Sequence, residues 1–457
     1  MGICGTGVGA LAGLLRDSGF TVSGSDQNVY PPMSDFLANL GITVMKGYSA
    51  ANLEPRPDLV VVGNVIRRDN PEALALVEAR VPYVSMPQAL GSRFLKEKTS
   101  LVVAGTHGKT TTASVLVSAL AHAGKSPGCL IGGLVKVFER NYNLGSGPYF
   151  VVEGDEYDTA FFDKGPKFLH YHPGIAVITS IEFDHADIYA DLEAVKQSFR
   201  KLVAIMPEDG CLIVHGDDPA VTEVAGEAKC KVLRYGQGAG FEWVFKNMQI
   251  RRQVTGFDVL RQGTYYGRVE NVLPGRHNAL NSLAVVAVLD HLGLTRDEIL
   301  GGIAAFEGVR RRQEVRGVVN DITVIDDFAH HPTAVRETLA ALTAKYNGQR
   351  LIAVFDPRTN TSRRNFFQKD YVRSFAACRQ VIVREPEGME NIPPDQRFSS
   401  PALVEDLQAE GVDAHYFKTT DEVIEYLVAH AGSGDVVVIL SNGGFDNIHD
   451  RLLRKLR

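Results

Sequence analysis

The chain has 457 residues, of which 45% are hydrophobic and 22% are charged, as in an ordinary globular protein. This composition excludes disordered, collagen-like and coiled-coil chains, and the length allows about three domains at roughly 150 residues each. The 48 Lys and Arg residues against 54 Asp and Glu residues give a formal net charge of −6. So mild an acidity gives no reason to expect nucleic-acid binding.

The five cysteines are scattered along the chain, and no two of them form a Cys-x-x-Cys pair. This pattern argues against a disulfide framework and against a zinc site, and it suits a reducing compartment. No apolar run approaches the roughly 18 residues that a membrane-spanning helix needs. The first 15 residues are uncharged but lack the basic start of a signal peptide. We therefore expect a cytoplasmic protein that does not bind membranes.

Short apolar runs rich in Val and Ile alternate with helical patterns along the chain. Continuous apolar runs bounded by turns are typical of parallel strands covered on both faces, so the pattern predicts an α/β protein. The predicted strands include residues 59–62, 101–104, 150–152, 176–179, 322–325, 351–355 and 436–440. The predicted helices include residues 110–123, 278–292, 296–306, 332–345 and 421–430. Residues 241–267 alternate in polarity between turn residues, which predicts a small antiparallel excursion.

Two segments mark breaks between the predicted domains. The polar stretch at 92–100 precedes a new strand–loop–helix unit, and the basic cluster at 310–312 precedes another α/β series. We therefore expect domains at residues 1–97, 98–309 and 310–457.

The strongest functional signal is LVVAGTHGKTTT at residues 101–112. An apolar strand runs into a glycine-bounded loop, and a helix begins after Gly108. Backbone N–H groups of such a loop and helix N-terminus can surround phosphate oxygens. Lys109 would supply positive charge to the β- and γ-phosphates, and the Thr110 hydroxyl would coordinate Mg²⁺. The loop is shorter than the full Walker pattern, and the alternative is a glycine-rich turn with a solvated lysine. We favour an ATP site.

Acidic residues follow two further predicted strands, in EGDEYD at 153–158 and in IEFDHAD at 181–187. In open parallel sheets, ligands bind at the carboxyl ends of the strands. A carboxylate from one segment and the imidazole from the other could complete a Mg²⁺ shell beside Thr110. Each acidic loop residue taken alone is usually just solvated. Their repeated position after buried strands favours a metal site.

Five segments together resemble one family. They are GTHGKTTT, EGDEYD, IEFDHAD, GRHNALNSLA at 275–284 and DDFAHHPT at 326–333. In number and order these motifs resemble the Mur ligases, ATP-dependent enzymes that form amide bonds in peptidoglycan metabolism. The resemblance extends from the N-terminal glycine loop to SNGGF at 441–445. It implies an α/β architecture of three domains: an N-terminal Rossmann-like domain that binds UDP, a central P-loop ATPase domain, and a C-terminal Rossmann-like domain that binds the incoming peptide.

Residue matches to the family imply individual roles. The implied catalytic residues are Lys109, His185, Arg311 and Asp327. The implied ATP-binding residues are Gly105, Thr106, His107, Gly108, Lys109, Thr110, Thr111, His277, Asn278, Asn281, Arg312, Asp327 and His330. The implied Mg²⁺ ligands are Thr110, Glu153 and His185. Taken without the family, the His-Asn-x-x-Asn pattern could equally be a polar helix face, and an arginine triplet is most often a solvated surface.

The N-terminal glycine loop has two interpretations. Gly5 and Gly7, with Asp26 about twenty residues further on, resemble a dinucleotide fingerprint. A nicotinamide cofactor would require an apolar strand before Gly2, where only Met1 is present. The family resemblance instead implies that the loop holds the UDP diphosphate, with a UDP-sugar site at Gly5, Thr6, Gly7, Ser25 and Asp26. The family normally has the same strand, which predicts a late start codon and puts the pairing of the first strand in doubt.

Several segments indicate which reaction of the family to expect. Residues 25–34, 63–71, 160–164 and 441–449 resemble the member that joins UDP-N-acetylmuramate to the recycled tripeptide L-alanyl-γ-D-glutamyl-meso-diaminopimelate. Some members carry a carbamoylated lysine at the position of Phe199. The subgroup of the L-alanine-adding enzyme lacks this lysine, and the chain resembles that subgroup in this respect. That enzyme of de novo peptidoglycan biosynthesis is the alternative, although its GxGGxGMS-type loop is absent. The sequence does not fix the oligomeric state, for which we expect a monomer or a weak dimer.

The loop at 356–361 follows a predicted buried strand and carries Arg, Asn and two Thr. Such a loop can bind a carboxylate-rich peptide, with Arg358 offering a bidentate fork. We therefore expect peptide contacts at Arg358, Asn360 and Ser441. The alternative is a surface loop in which Arg358 is solvated or paired to Asp356.

Three other functions explain less of the sequence. An NAD-dependent dehydrogenase would leave GTHGKTTT unexplained. A regulatory P-loop NTPase would leave DDFAHHPT and SNGGF unexplained. A folylpolyglutamate synthetase would share the ATP loop but would lack the N-terminal UDP-binding unit.

Overall fold

The computed structural model describes residues 1–31, 33–251 and 254–457. Pro32, in the segment 25–34, and residues 252–253, in the segment 241–267, lie outside the described residues. The described chain contains one ten-stranded sheet, one six-stranded sheet and three two-stranded sheets. None of its helices is long and apolar enough to cross a membrane.

Two small parallel sheets lie in the N-terminal part, and the first residues of the chain run between them. The strands are β1 (Ser23–Asp26), β2 (Thr43–Lys46), β3 (Val60–Val62) and β4 (Tyr83–Ser85), paired β1 with β2 and β3 with β4. The helices are α1 (Thr6–Asp17), α2 (Met33–Asn39), α3 (Pro71–Glu78) and α4 (Met86–Leu90). The Gly2 N–H donates to the Ser25 carbonyl at 2.8 Å, and the Gly63 N–H donates to the Met1 carbonyl at 3.0 Å. Residues 1–3 therefore pair with both sheets through a few backbone hydrogen bonds.

The ten-stranded sheet forms the centre of the molecule. The strands of this part are β5 (Thr99–Ala104), β6 (Gly128–Val135), β7 (Arg140–Asn143), β8 (Tyr149–Gly154), β9 (Asp158–Ala160), β10 (Asp163–Pro166), β11 (Pro173–Ile178), β12 (Cys211–His215), β13 (Lys231–Gly236), β14 (Trp243–Ile250), β15 (Thr255–Arg261) and β16 (Thr264–Asn271). The sheet order is β16-β15-β14-β13-β12-β11-β5-β8-β6-β7, and β9 and β10 form a separate hairpin. Strands β14 to β16 pair antiparallel, which confirms the predicted antiparallel excursion.

Helices cover both faces of this sheet. They are α5 (Lys109–His122), α6 (Leu192–Ala204), α7 (Pro219–Ala225), α8 (Arg276–His291) and α9 (Arg296–Ala304). Helices α5 and α8 are buried along nearly their whole length and share one core with the sheet. A helix that is apolar on most sides is stable only when other elements surround it. This burial fixes the beginning of both helices at the carboxyl end of the central strands.

The C-terminal part is a six-stranded sheet with helices on both faces. The strands are β17 (Glu314–Val319), β18 (Ile322–Asp327), β19 (Leu351–Phe355), β20 (Gln380–Arg384), β21 (Asp413–Phe417) and β22 (Val436–Leu440), in the order β17-β18-β22-β19-β20-β21. The helices are α10 (Pro332–Lys345), α11 (Gln368–Ser374), α12 (Ser400–Ala409), α13 (Thr420–His430) and α14 (Ile448–Lys455). All pairs are parallel except β17 with β18. The predicted α/β class is confirmed.

We predict that Gly91→Ala destabilises the protein. Gly91 begins a π-helical turn, and an added Cβ would stand 2.0 Å from the His170 carbonyl oxygen. Because that atom belongs to the backbone, it cannot rotate away, and overpacking of this kind costs about 1–3 kcal/mol of unfolding free energy. Urea denaturation measures the effect. Gly432→Ala is the matched control, since a Cβ built there meets nothing within 4 Å. Equal stability of the two variants would contradict the prediction.

Candidate active site

The loop between β5 and α5 requires glycine at both of its ends. Gly105 has a φ of 131° and Gly108 has a φ of 83°. Residues other than glycine rarely adopt these backbone angles. A Cβ on Gly105 would lie 2.1 Å from Thr179 Oγ1, and one on Gly108 would lie 2.6 Å from Asn281 Oδ1. The loop is therefore packed between the end of β11 and the first turns of α8.

Hydrogen bonds hold the same loop to the segment that follows β11. The Thr106 N–H donates to the Ser180 carbonyl at 2.9 Å, and the His107 N–H donates to the Ser180 hydroxyl at 3.0 Å. The Thr106 hydroxyl accepts from the Glu182 N–H at 2.9 Å. Thr111, next to the loop in the first turn of α5, is buried. The loop is thus preorganised by the residues that carry the IEFDHAD motif.

Lys109 lies across this loop and forms a buried ion pair. Its Nζ donates to the Gly105 carbonyl at 2.6 Å and to Glu156 Oε2 at 3.0 Å. Burial alone would lower the pKa of Lys109, but the carboxylates of Glu156 and Asp155 outweigh it and raise the pKa. A positive charge is therefore fixed at the position where the glycine loop would hold phosphates.

Thr110 and Glu153 form the oxygen-rich part of the site. The Thr110 hydroxyl donates to Glu153 Oε2 at 3.0 Å, and the Gly132 N–H donates to Oε1 at 2.5 Å. Burial raises the pKa of Glu153, and the neighbouring Asp155 raises it further. A buried carboxylate beside a hydroxyl is a donor set that suits Mg²⁺, which prefers oxygen ligands.

His185 is brought to the same edge of the sheet, next to Glu156. Its Nε2 lies 3.5 Å from Glu156 Oε1, and its ring lies 5.0 Å from the ring of Tyr157. Burial lowers the pKa of His185, but Glu156 and Asp184 outweigh this and raise it. Of the three predicted metal ligands, Thr110 and Glu153 are in direct contact, and His185 faces the adjoining carboxylate.

Two neighbouring arginines from the C-terminal part point to different places. Arg312 donates to Thr110 Oγ1 at 3.1 Å, and its guanidinium lies 4.6 Å from the ring centroid of Phe328. Arg311 instead donates to the carbonyl oxygens of Ser441 and Gly443, each at 2.7 Å. The structure therefore brings Arg312 to Thr110 at the start of α5 and places Arg311 on the SNGGF loop.

Asp327 and His330 brace the segment that carries Phe328. The buried Asp327 carboxylate accepts from the backbone N–H groups of Gln313 and Ala329, both at 2.8 Å. Burial raises the pKa of Asp327. His330 Nδ1 lies 3.0 Å from the Phe328 carbonyl oxygen. Both residues lie in the segment that follows Arg312, close to the predicted ATP site.

The first turns of α8 carry three predicted residues, of which Asn281 lies against Gly108 of the loop between β5 and α5. Asn278 Nδ2 donates to the Pro274 carbonyl at 2.7 Å, and Asn281 Nδ2 donates to Asn278 Oδ1 at 3.3 Å. His277 lies beside Gln313, whose Nε2 is 3.4 Å from the histidine Nε2, and the Nδ1 of His277 is buried. Burial lowers the pKa of His277 to about 4.

A cavity of about 210 Å³ opens between the N-terminal glycine loop and the central part. It is lined by Gly5, Thr6, Gly7, Val8, Asn64, Met86, Pro87, Tyr157, Thr159 and Lys167. Lys167 pairs with Asp155 at 2.9 Å, and its Nζ lies 4.1 Å from the ring centroid of Tyr157. Sequence reasoning missed Tyr157, Thr159 and Lys167 as cavity residues, because Tyr157 appears only as part of EGDEYD, no motif marks the other two, and only the fold brings all three to the N-terminal loop.

Ser25 and Asp26, also predicted for the UDP-sugar, lie behind that loop and do not line the cavity. Asp26 accepts from the Cys4 N–H at 2.9 Å, and the Ser25 hydroxyl donates to Glu72 Oε1 at 2.6 Å. The two residues therefore brace the loop, and their contact with a nucleotide stays a prediction.

The three predicted peptide-binding residues lie at the carboxyl ends of the C-terminal strands. The Ser441 hydroxyl donates to Asp356 Oδ2 at 2.8 Å. Arg358 lies 3.8 Å from the same oxygen and 3.3 Å from Glu387 Oε2, with a third of its side chain exposed. The alternative pairing of Arg358 with Asp356 is thus present, shared with a second carboxylate. Asn360 turns to the central part and donates to Asp187 at 2.9 Å.

Comparisons with known proteins agree with this arrangement. Three family models match the chain: "Mur ligase family, catalytic domain" at residues 1–97, "Mur ligase middle domain" at 103–289, and "Mur ligase, glutamate ligase domain" at 310–443. The UDP-N-acetylmuramate–L-alanyl-gamma-D-glutamyl-meso-2,6-diaminoheptandioate ligase of Escherichia coli (strain K12) is 40% identical, covering 99% of this chain and 96% of that protein.

Two further proteins are similar to the chain along its whole length. The UDP-N-acetylmuramate–L-alanine ligase of Agathobacter rectalis is 32% identical, over 100% of this chain and 97% of that protein. The crystal structure of a murein peptide ligase from Psychrobacter arcticus is 34% identical, with a TM-score of 0.74, and covers 100% of this chain and 97% of that one. The chain belongs to the Mur ligase family. Its three-domain α/β fold is that of the family.

We predict that His277 makes stability depend on pH. Its folded pKa of about 4 lies below the value of about 6.5 in an unfolded chain, so protons bind preferentially to the unfolded state. Stability is therefore lost as the pH falls from about 6.5 towards 4. Between about pH 7.5 and pH 5, the wild type should lose about 2 kcal/mol more unfolding free energy than His277→Gln. Denaturant titrations at both pH values measure this difference, and equal losses would refute the prediction.

Proposed function

We propose that this protein is an ATP-dependent ligase that joins UDP-N-acetylmuramate to the tripeptide L-alanyl-γ-D-glutamyl-meso-diaminopimelate in peptidoglycan recycling. The observation that carries the proposal is full-length similarity at 40% identity to a ligase of that name, against 32% for an L-alanine ligase. The site supports the same chemistry, because Lys109, the Thr110–Glu153 pair and Arg312 converge on one glycine loop.

Amide formation from a carboxylate requires a leaving group, because oxide cannot be expelled. In the proposed reaction, the lactyl carboxylate oxygen of UDP-N-acetylmuramate attacks the γ-phosphorus of ATP, and the bond to the ADP oxygen breaks. The resulting acyl phosphate is then attacked by the free amine of the L-alanyl end. The tetrahedral intermediate collapses with loss of inorganic phosphate, and the amine gives up one proton.

The chain's own residues would position these groups. Lys109 would bind the transferred phosphoryl group, since its charge is fixed at the loop. Thr110, Glu153 and His185 would hold Mg²⁺, which when bound neutralises negative charge on the phosphates. Arg312 would add a second positive charge from the C-terminal part. The contact between the central and C-terminal parts would exclude water from the acyl phosphate.

The two other substrates are assigned to the two flanking parts, with boundaries at 1–97, 98–309 and 310–457. The cavity at Gly5, Thr6 and Gly7 would take the UDP diphosphate, because the N-terminus of α1 offers free backbone N–H groups. Lys167 at the far wall of that cavity would face the sugar end. The loops at Arg358 and Ser441 would bind the carboxylates of the tripeptide.

One experiment tests the proposed reaction. The purified protein is incubated with ATP, Mg²⁺ and UDP-N-acetylmuramate, with either tripeptide or L-alanine, and the products are identified by mass. We expect the tripeptide adduct and stoichiometric ADP. A product with L-alanine alone would support the alternative, the ligase of de novo biosynthesis.

We predict that Lys109→Arg lowers kcat at least about 100-fold while the thermal midpoint stays near that of the wild type. Arginine keeps a positive charge beside the buried Glu156, so no carboxylate is left unpaired. Its planar, wider head cannot reproduce a compact charge on a phosphoryl group, and loss of one such contact typically costs 10²–10³ in kcat. Steady-state kinetics measure kcat, and thermal unfolding measures the midpoint. Near-wild-type turnover would overturn the assignment of Lys109.

We predict that Arg358→Ala raises the KM for tripeptide and leaves the KM values for ATP and UDP-N-acetylmuramate nearly unchanged. A lost charge-assisted hydrogen bond costs about 2–3 kcal/mol, or about 30- to 150-fold in KM. Arg364→Ala is the matched control, since the Arg364 guanidinium binds Gln396 at 2.7 Å. If Arg358→Ala keeps the wild-type KM for tripeptide, as Arg364→Ala should, peptide recognition lies elsewhere, and residues 441–445 are the next segment to test.

A further inference from the structure

Two histidines and one glutamate meet where the C-terminal part contacts the ATP loop. His107 belongs to the loop, Glu182 follows β11, and His331 caps the N-terminus of α10. One ligand atom from each of the three residues lies within 4.8 Å of the other two. The scattered cysteines argue against a cysteine-based zinc site, and this cluster contains no cysteine.

Two of the three distances are close to the edges of a coordination tetrahedron. Glu182 Oε2 lies 3.5 Å from His107 Nε2 and 3.6 Å from His331 Nδ1. An ion with ligands at about 2.0–2.1 Å in tetrahedral geometry places those ligands about 3.3–3.4 Å apart. Movements of a few tenths of an ångström would bring Glu182 Oε2 to these distances from both histidines, and the two histidine nitrogens lie within 4.8 Å of each other.

The hydrogen bonds leave the required lone pairs in place. His331 Nε2 lies 3.2 Å from the Phe183 carbonyl, to which it can only donate, so Nδ1 carries the lone pair. Metal-binding histidines are commonly oriented by such a bond from their other nitrogen. Among the described residues, His107 Nε2 is buried and has no hydrogen-bond partner. Thr333 supplies the competing contacts. Its N–H approaches His331 Nδ1 at only 3.3 Å, and its hydroxyl donates at 2.7 Å to Glu182 Oε2, a carboxylate oxygen that keeps a second lone pair.

We propose that His107, Glu182 and His331 form a binding site for a transition-metal ion of the Zn²⁺ class. The site is separate from the Thr110–Glu153 pair, because two imidazoles and a carboxylate suit Zn²⁺, whereas Mg²⁺ prefers oxygen ligands alone. Glu182 is one-third exposed, which leaves a path for the ion and room for water as a fourth ligand. A bound ion links the ATP loop to the start of α10.

The test uses the full-length protein, freed of metal with a chelator and then titrated with Zn²⁺ or Co²⁺. We expect one tight Zn²⁺ ion per chain, a visible absorption spectrum of tetrahedral Co²⁺, and a higher thermal midpoint with Zn²⁺. His331→Asn should weaken Zn²⁺ binding at least about tenfold and abolish the thermal shift. Asparagine still offers a capping oxygen to the Thr333 N–H, so the beginning of α10 is retained. None of these measurements requires ligase activity.

Two further variants make the test decisive. Glu182→Gln removes a ligand outside α10 and should weaken Zn²⁺ binding by a similar factor, even where His331→Asn folds poorly. His415→Asn is the matched control, since His415 lies at the surface of the same C-terminal part, bonded to Asp413 at 2.7 Å. Its Zn²⁺ affinity should equal that of the wild type. Wild-type affinity in both His331→Asn and Glu182→Gln, or the absence of tight Zn²⁺ binding to the wild type, would overturn the proposal.

Discussion

Charge balance at the carboxyl end of β8 constrains the whole site. Three acidic residues, Glu153, Asp155 and Glu156, stand within four positions at the end of this strand, and each needs compensation because burial disfavours its charged form. Asp155 pairs with Lys167, and Glu156 pairs with Lys109. Burial would raise the pKa values of Asp155 and Glu156, but these two lysines outweigh it and lower both pKa values.

Glu153 is the carboxylate for which the described residues supply no ion pair. It accepts from the Thr110 hydroxyl, which in turn accepts from Arg312 of the C-terminal part. Burial raises the pKa of Glu153, and the positive charges of Lys109 and Arg312 oppose this rise without cancelling it. The position of the C-terminal part and the electrostatics of the central part are therefore linked, and a cation held by Thr110 and Glu153 would relieve the same imbalance.

The sequence predicts those parts of this arrangement that depend on local patterns. Helix α10 begins and ends at the predicted residues, and the glycine loop joins the predicted strand and helix. The sequence does not separate Arg311 from Arg312, because which one reaches Thr110 depends on packing between residues about 200 positions apart. The position of Lys167 in the cavity and the His107–Glu182–His331 cluster could not be predicted from the sequence for the same reason. Both depend on contacts between segments that are far apart in the chain, and no fixed spacing between the residues indicates these contacts.

Phe199, which is predicted to match the carbamoylated lysine of some family members, contributes to the apolar core. Its side chain is fully buried in the apolar core, with its ring centroid 6.0 Å from that of Phe168. A charged group at this position would lose its hydration without gaining a partner. A negative charge does lie beside His185, because the two oxygens of Glu156 face His185 and Lys109. The carboxylate that pairs with Lys109 thus also orients His185, and one side chain couples the GTHGKTTT and IEFDHAD motifs.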